Sequence, residues 1–268
     1  MTTHPPVPSI ASSEASIGRE AVLHFDLIWR DLMQSQGSVE NEQYFRVITG
    51  EAHPLGNLVI LREPGDTSAV HEAVAPLREL SQPSAVLFVA GVSEAVSEAL
   101  TALGFAKVSP MPAMAIDTAS VASTLLPDGY EFLRVSSVEE GVAWTEVVAE
   151  GFGLPRGLAR LLSPEVQGVR TEPDAAVQFF GIQNKGKLVA ASLLYLANGL
   201  AGIYCVATLP DERGKGLGAH VTAEALRVAS RLGYGVGVLQ ASAAGHSVYQ
   251  RLGFRDVDSV PMFIRMPS

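Results

Sequence analysis

Six consecutive residues, Arg213-Gly214-Lys215-Gly216-Leu217-Gly218, set three glycines and two cations at the head of a helical pattern. Such a turn can hold an anion. The first amides of a helix have no acceptor inside it, the positive end of the helix dipole lies behind them, and glycines let a ligand reach the backbone without meeting a Cβ. Phosphate suits this arrangement, with Arg213 and Lys215 supplying charge. A bare G-x-G-x-G also describes an ordinary glycine-rich turn with solvated cations, so its context must decide. The spacing excludes two familiar phosphate sites. No G-x-x-x-x-G-K-[ST] string is present, and a dinucleotide fingerprint would follow the first strand of a parallel unit.

The flanking pattern places the turn between a strand and a helix. Leu217, Val221, Ala225, Val228 and Leu232 recur at helical spacing, with His220, Glu224, Arg227 and Arg231 opposite, which predicts an amphipathic helix with a solvated His220. Ahead of the turn, VQFFGIQ, KLVAASLLYL and LAGIYCVATL are β-rich runs separated by NKGK and ANG, which predicts an antiparallel meander. Before the meander, EFLRV from Tyr130 reads as a strand and SSVEEGVAWTEVVAEGF as a helix opened by Ser136 or Ser137. Gly157 to Asp174 is less patterned, a helix and loop. After the long helix come a strand, YGVGVLQ, a short helix from about Ala243 to Leu252, and a last strand around PMFIRM.

The chain also repeats itself at an offset of 149 residues, the difference between Gly253 and Gly104. Under that offset His71 meets His220, Leu77-Arg78 meet Leu226-Arg227, Leu103-Gly104-Phe105 meet Leu252-Gly253-Phe254, and Pro112 meets Pro261. Two copies of one architecture are expected. Where the second copy has Arg213 to Gly218, the first has Pro64-Gly-Asp-Thr-Ser-Ala69, losing both cations and gaining Asp66. Pro64 removes an amide and Asp66 repels phosphate, so the first copy is expected to be a structural partner without a phosphate site. The boundary is placed within Ser120 to Asp128, where small residues end in a Pro-Asp turn signal. The expected ranges are 1–20 as a flexible arm, 21–124 as the first domain and 125–268 as the second.

Composition narrows the function classes. Of 268 residues 47% are hydrophobic and 18% charged, which fits a globular chain and argues against wholesale disorder. The net charge of −9, without clustered Lys and Arg, argues against nucleic-acid binding and suits a cationic or amine substrate. The single cysteine, Cys205, forms no internal disulfide, fits a reducing compartment and sits in a strand-like run where packing is its expected role. Neither a secretory leader nor an apolar run of about 18 residues is seen, so a cytoplasmic protein without membrane partners is expected.

At Val206 to Gly218, VATLPDERGKGLG, the chain looks like the acetyl-CoA-binding motif of the GNAT acyltransferase superfamily, [RQ]-x-x-G-x-[GA] after a strand and a Pro-containing turn. Ser242 to Phe254, SAAGHSVYQRLGF, resembles that family's next motif, with a tyrosine four residues before the glycine of a terminal G-F. The resemblance covers Leu125 to Ser268, and the first half resembles the same fold with its cofactor motif erased. It implies an α/β (α+β) fold of two tandem GNAT-like domains, each a mixed, mainly antiparallel twisted sheet flanked by helices. It further implies an N-acetyltransferase that uses acetyl-CoA, no metal, and a small-molecule or peptide amine. The diphosphate would sit on Arg213, Gly214, Lys215, Gly216, the Leu217 amide, Gly218 and Ala219. The pantetheine arm would pair with Val206, Ala207 and Thr208. Tyr249 would protonate the leaving thiolate, while Ser242 stands where many relatives place an asparagine toward the coenzyme.

The base is not identified by the resemblance. Gly237 replaces a glutamate found in some relatives, leaving His246, Glu146, Glu150 or an ordered water chain as options. A non-catalytic acyl-CoA-binding sensor is the alternative to an enzyme. Oligomeric state is open, a homodimer being one option.

Overall fold

In a computed structural model of the 268-residue chain, residues 14–34, 37–62 and 67–267 are described. In chain order its elements are α1 (Glu14–Leu32), β1 (Val39–Glu40), β2 (Tyr44–Ile48), β3 (Asn57–Leu61), α2 (Thr67–Arg78), β4 (Ser84–Phe88), α3 (Glu94–Ala102) and β5 (Ala106–Asp117). There follow β6 (Tyr130–Arg134), α4 (Val138–Phe152), α5 (Arg156–Leu161), α6 (Pro164–Gln167), β7 (Val177–Asn184), β8 (Lys187–Ala197) and β9 (Leu200–Thr208). The last elements are α7 (Leu217–Arg231), β10 (Val236–Gln240), α8 (His246–Leu252) and β11 (Arg255–Arg265).

The chain divides into two compact units, a larger one of residues up to Phe25 with Ala113–Asp258, and a smaller one of Asp26–Pro112 with the residues from Ser259 onward. These limits differ from the expected ranges in two respects. Glu14 to Glu20, expected within a loose arm, are the first turns of α1, with Ile17 and Ala21 buried. The reason is the spacing of Ile17, Ala21, Phe25, Ile28 and Leu32, which forms an apolar stripe the chain must bury. The division also falls inside β5, at Pro112/Ala113, ahead of the Ser120 to Asp128 stretch.

Within the larger unit the sheet order is β5, β10, β9, β8, β7, β6, with Ala113–Asp117 as the β5 segment that pairs with β10. Every pair is antiparallel except β9 with β10. The meander turns fall where expected: Lys185-Gly186 and Asn198-Gly199 all take positive φ, between 49° and 76°, the backbone of a two-residue hairpin turn that matches strand twist. In the smaller unit the order is β1, β2, β3, β4, then Met262–Arg265 of β11, with β3 and β4 parallel. Its core gathers Val59, Leu61, Val70, Val74, Leu77, Phe88, Leu100, Phe105 and Phe263.

The repeat in the sequence is a repeat of elements. The 149-residue offset carries Thr67–Arg78 onto the first part of α7 and the start of β5, Ala106, onto the start of β11, Arg255. Because β5 and β11 are equivalent strands, β10 can take β5 and β4 can take β11 as the antiparallel neighbour, and that is the pairing found. Residues 63–66, including Pro64 and Asp66 of the first-copy turn, lie outside the described residues.

Candidate active site

All the candidate site residues lie in the larger unit, and Val206 to Thr208 with the glycine turn lie at and beyond the C-terminal end of β9. β10 follows β9 for only three paired positions, Leu200 to Gly202 against Val236 to Val238. Beyond Gly202 the two strands part. On its other side β9 stays with β8, but the register shifts between Ala191 and Leu193, where Cys205 and Val206 together face Ser192. This is a β-bulge, and Cys205 takes a left-handed φ of 51° within it. Among the described residues β9 has no residue paired with β10 after Gly202. Burial pushes the Cys205 thiol up to about 12, which disfavours the thiolate.

From Thr208 the chain runs through one 3-10 turn, Pro210–Glu212, into the glycine turn. Gly214 and Gly216 have φ of 79° and 80°, conformations that a side chain disfavours, and Gly216 ends as the residue before α7 without any capping side chain. The first bond of the helix is His220 N to Gly216 O at 3.0 Å. The amides of Leu217, Gly218 and Ala219 lie ahead of it, in the turn where a helix has no acceptor of its own. Leu217 itself is 1% exposed and heads the buried stripe, so only its amide is available. Gly218 has an ordinary helical backbone, and a Cβ there would meet Thr208 Oγ1 at 3.6 Å and Val206 Cγ1 at 3.8 Å.

The two cations are held beside the turn. Lys215 Nζ donates to Glu212 Oε2 at 2.7 Å and to the Tyr130 hydroxyl at 3.0 Å, and Tyr130 donates to the same Glu212 oxygen at 2.6 Å. These partners push the Lys215 ammonium up to about 12 and lower the Glu212 carboxyl, fixing both charges. Arg213 donates to the carbonyls of Gly151 and Thr208. Sequence reasoning missed Tyr130, Glu212 and Gly151 as neighbours of the turn. Tyr130 and Gly151 are distant in sequence, and an acid before two cations reads as plain surface charge.

Tyr249 lies on α8, partly buried, with its ring edge against Phe254 at 5.8 Å between centroids. Burial pushes its hydroxyl well above the ordinary phenol value, and no described residue hydrogen-bonds to it. Ser242 accepts from the Gly245 amide at 3.2 Å, organising the turn into α8. That helix starts at His246, later than the expected Ala243, because Ser242 to Gly245 form the capping turn.

Of the side chains named as candidate bases, His246 and Glu146 have ion-pair partners. His246 Nε2 lies 2.8 Å from Asp256 Oδ1. Glu146 pairs with Arg156, and Glu150 is exposed on α4. A Cβ at Gly237 would meet the side-chain ends of Leu226 and Ile116, the latter at 3.0 Å, so a larger residue there would require both to shift. His220, expected on a solvated face, is 9% exposed, because the loop after β5 covers it: Thr124 Oγ1 lies 3.0 Å from its Nδ1, and burial lowers its affinity for a proton. Among the described residues no three His, Cys, Asp or Glu side chains cluster as metal ligands, and no helix is long and apolar enough to cross a membrane.

A strand that parts from its parallel neighbour and an uncapped glycine turn opening a long helix fit the GNAT-like fold that the sequence resemblance implied. Residues 154–254 match the model of the family described as Acetyltransferase (GNAT) family. Among solved structures, a GCN5-related N-acetyltransferase from Kribbella flavida is 21% identical with a TM-score of 0.66, covering 94% of this chain and 95% of its own. Another, from Sphaerobacter thermophilus, is 16% identical with a TM-score of 0.62, covering 98% and 96%. A tandem GNAT protein from the clavulanic acid biosynthesis pathway is 12% identical with a TM-score of 0.54, covering 96% and 97%. At these identities the likeness is one of fold over nearly the whole chain. No curated protein matches the sequence.

Proposed function

We propose that this protein is a cytoplasmic N-acetyltransferase that moves the acetyl group of acetyl-CoA to a primary amine of a small molecule or peptide. The observation that carries the reading is the coincidence, at one end of β9, of strand backbone at Val206 to Thr208, which β10 does not pair, with the uncapped amides that open α7. The strand edge suits the two amides of a pantetheine arm, which would add to it as a short pseudo-strand. The turn suits the diphosphate, held by the amides from Gly214 to Ala219 in the positive field of Arg213, Lys215 and the helix dipole.

The reaction is attack of a neutral amine nitrogen on the thioester carbonyl. A C–N bond forms, the tetrahedral centre collapses, and the C–S bond breaks. The nitrogen must lose a proton and the sulfur must gain one. Tyr249 is assigned the protonation of sulfur, since its hydroxyl is kept protonated by burial and is not engaged by another side chain, which leaves it available to the thiolate. Bulk water then restores the phenol proton. Ser242 accepts from Gly245 and so shapes the turn that carries α8, while its hydroxyl hydrogen stays available to the coenzyme.

The smaller unit is assigned no coenzyme site. Its parallel strands β3 and β4 stay paired from Leu58 to Leu61, and the Val89 amide adds a further bond to Leu61 O at 3.0 Å, so they do not part as β9 and β10 do. Calorimetry with coenzyme A should give one site per chain. Gly216→Asp should abolish that binding by placing a carboxylate among the amides, with a stability loss of about 1 kcal/mol from the left-handed backbone at 80°. Release of CoASH with a panel of amines, compared between wild type and Tyr249→Phe, tests the chemistry. The absence of a strand acid at Gly237 favours one second reading, a non-catalytic acyl-CoA sensor. Binding of coenzyme with no turnover of any amine would place that reading ahead.

A further inference from the structure

Arg213 is already committed to protein acceptors. Its Nη2 donates to the Gly151 carbonyl at 2.7 Å, and its Nε points to the Thr208 carbonyl at 3.4 Å. Gly151 lies in the last turn of α4, and Thr208 ends β9. The helix end and the strand end touch at the same place: a Cβ on Gly151 would stand 2.9 Å from Ala207 Cβ and 3.2 Å from the Thr208 carbonyl oxygen. Carbonyls in the last turn of a helix have lost their own donors and sit at the negative end of the dipole, so a guanidinium is a fitting cap. Just beyond, the helix closes on Gly153 at a φ of 67°, with Leu154 N bonded back to Ala149 O at 2.9 Å. Phe152, 47% exposed, and the segment after it therefore hang from the point Arg213 holds.

Resting on the acetyltransferase reading, we propose that Arg213 is a positioning residue whose planar fork clamps the end of α4 to the end of β9. It thereby fixes the loop after α4 against the strand edge assigned to the pantetheine arm. Its effect on the diphosphate is then one of field and not of direct contact. A lysine would keep the charge but offers no fork to span two carbonyls on different elements.

The test is hydrogen–deuterium exchange of the full chain, free and with coenzyme A, for wild type, Arg213→Lys and Arg213→Gln, alongside coenzyme A calorimetry. In the free protein both variants should exchange about tenfold faster at the Gly153 and Leu154 amides, because a charge-assisted bond that restrains them is gone. Exchange in β7 and β8 should stay as in wild type. Coenzyme A affinity should fall about threefold in Arg213→Lys, which keeps the charge, and further in Arg213→Gln. Wild-type exchange at Gly153 and Leu154 in Arg213→Lys, or in both variants, would overturn the clamp, as would equally faster exchange across β7 and β8. Gly216→Asp separates the two ideas: if it binds coenzyme A as tightly as wild type, the coenzyme site is misplaced, whatever the exchange in the free Arg213 variants reports.

Discussion

Acidification should destabilise the larger unit through one imidazole. His24, on α1, is 1% exposed and lies between Tyr195, whose ring is 5.2 Å away edge-on, and Tyr204, stacked at 6.0 Å. The Tyr204 hydroxyl and His24 Nδ1 are 2.8 Å apart; with the phenol protonated and the imidazole neutral, the hydroxyl donates. Nε2 has no hydrogen-bond partner. Burial therefore lowers the imidazole from 6.5 to about 4, and the Leu200 backbone opposes that only in part. Since the folded value is the lower one, the unfolded chain binds the proton first, and stability is fully present above pH 6.5 and lost as pH falls toward 4. One proton corresponds to about 1.4 kcal/mol per pH unit, so His24 should remove about 2 kcal/mol by pH 5 and about 3 kcal/mol by pH 4. Urea unfolding of wild type and His24→Gln at pH 7.5, 6 and 5 isolates this contribution, because other titrations are common to both. The gap between the two proteins should shrink by about 2 kcal/mol between pH 7.5 and pH 5. A gap that stays constant would mean that His24 is not buried neutral, and the assignment of α1 to this core would fall with it.

The other predictions concern backbone positions the structure marks out. Gly202 has no room for a side chain, since a Cβ would run into the Tyr204 ring and stand 2.7 Å from His24 Nδ1. Gly202→Ala should therefore cost about 1–3 kcal/mol in urea unfolding, and an unchanged midpoint would refute that packing. Gly218 and Gly216 should behave oppositely: Gly218→Ala should raise the melting temperature through helix propensity worth about 0.5–1 kcal/mol, whereas Gly216→Ala should lower it by a similar amount because its φ is 80°. Ser137→Ala removes one half of a reciprocal cap, in which Ser137 Oγ accepts from the Glu140 amide at 3.1 Å, and should cost about 1 kcal/mol in thermal unfolding with coenzyme A binding retained.

What the sequence could reveal was set by how local each cause is. The glycine turn, the meander with its two hairpins and the stripe of α7 all arise from residues within a few positions of one another, and each is found where the pattern puts it. His220 defeats the same reasoning. Helical spacing sets it with Glu224, Arg227 and Arg231, but Thr124 and Phe132, from far earlier in the chain, cover it. The strand pairing shows the same limit in another form. An offset of 149 residues reveals that β5 and β11 are equivalent, yet equivalence is the property that leaves either free to pair with β4 or β10, so no local pattern selects the partner. The site divides along this line as well. The donors proposed for it are backbone amides, whose placement follows from Gly214, Gly216 and the start of a helix, all features of the local sequence. The tethers that decide where Arg213 and Lys215 point, Gly151 and Tyr130, are 62 and 85 residues away, and only the folded chain brings them to the turn. A short motif thus sets the backbone of the turn proposed to hold an anion, while the direction of its charged side chains is decided by distant residues that pack beside it.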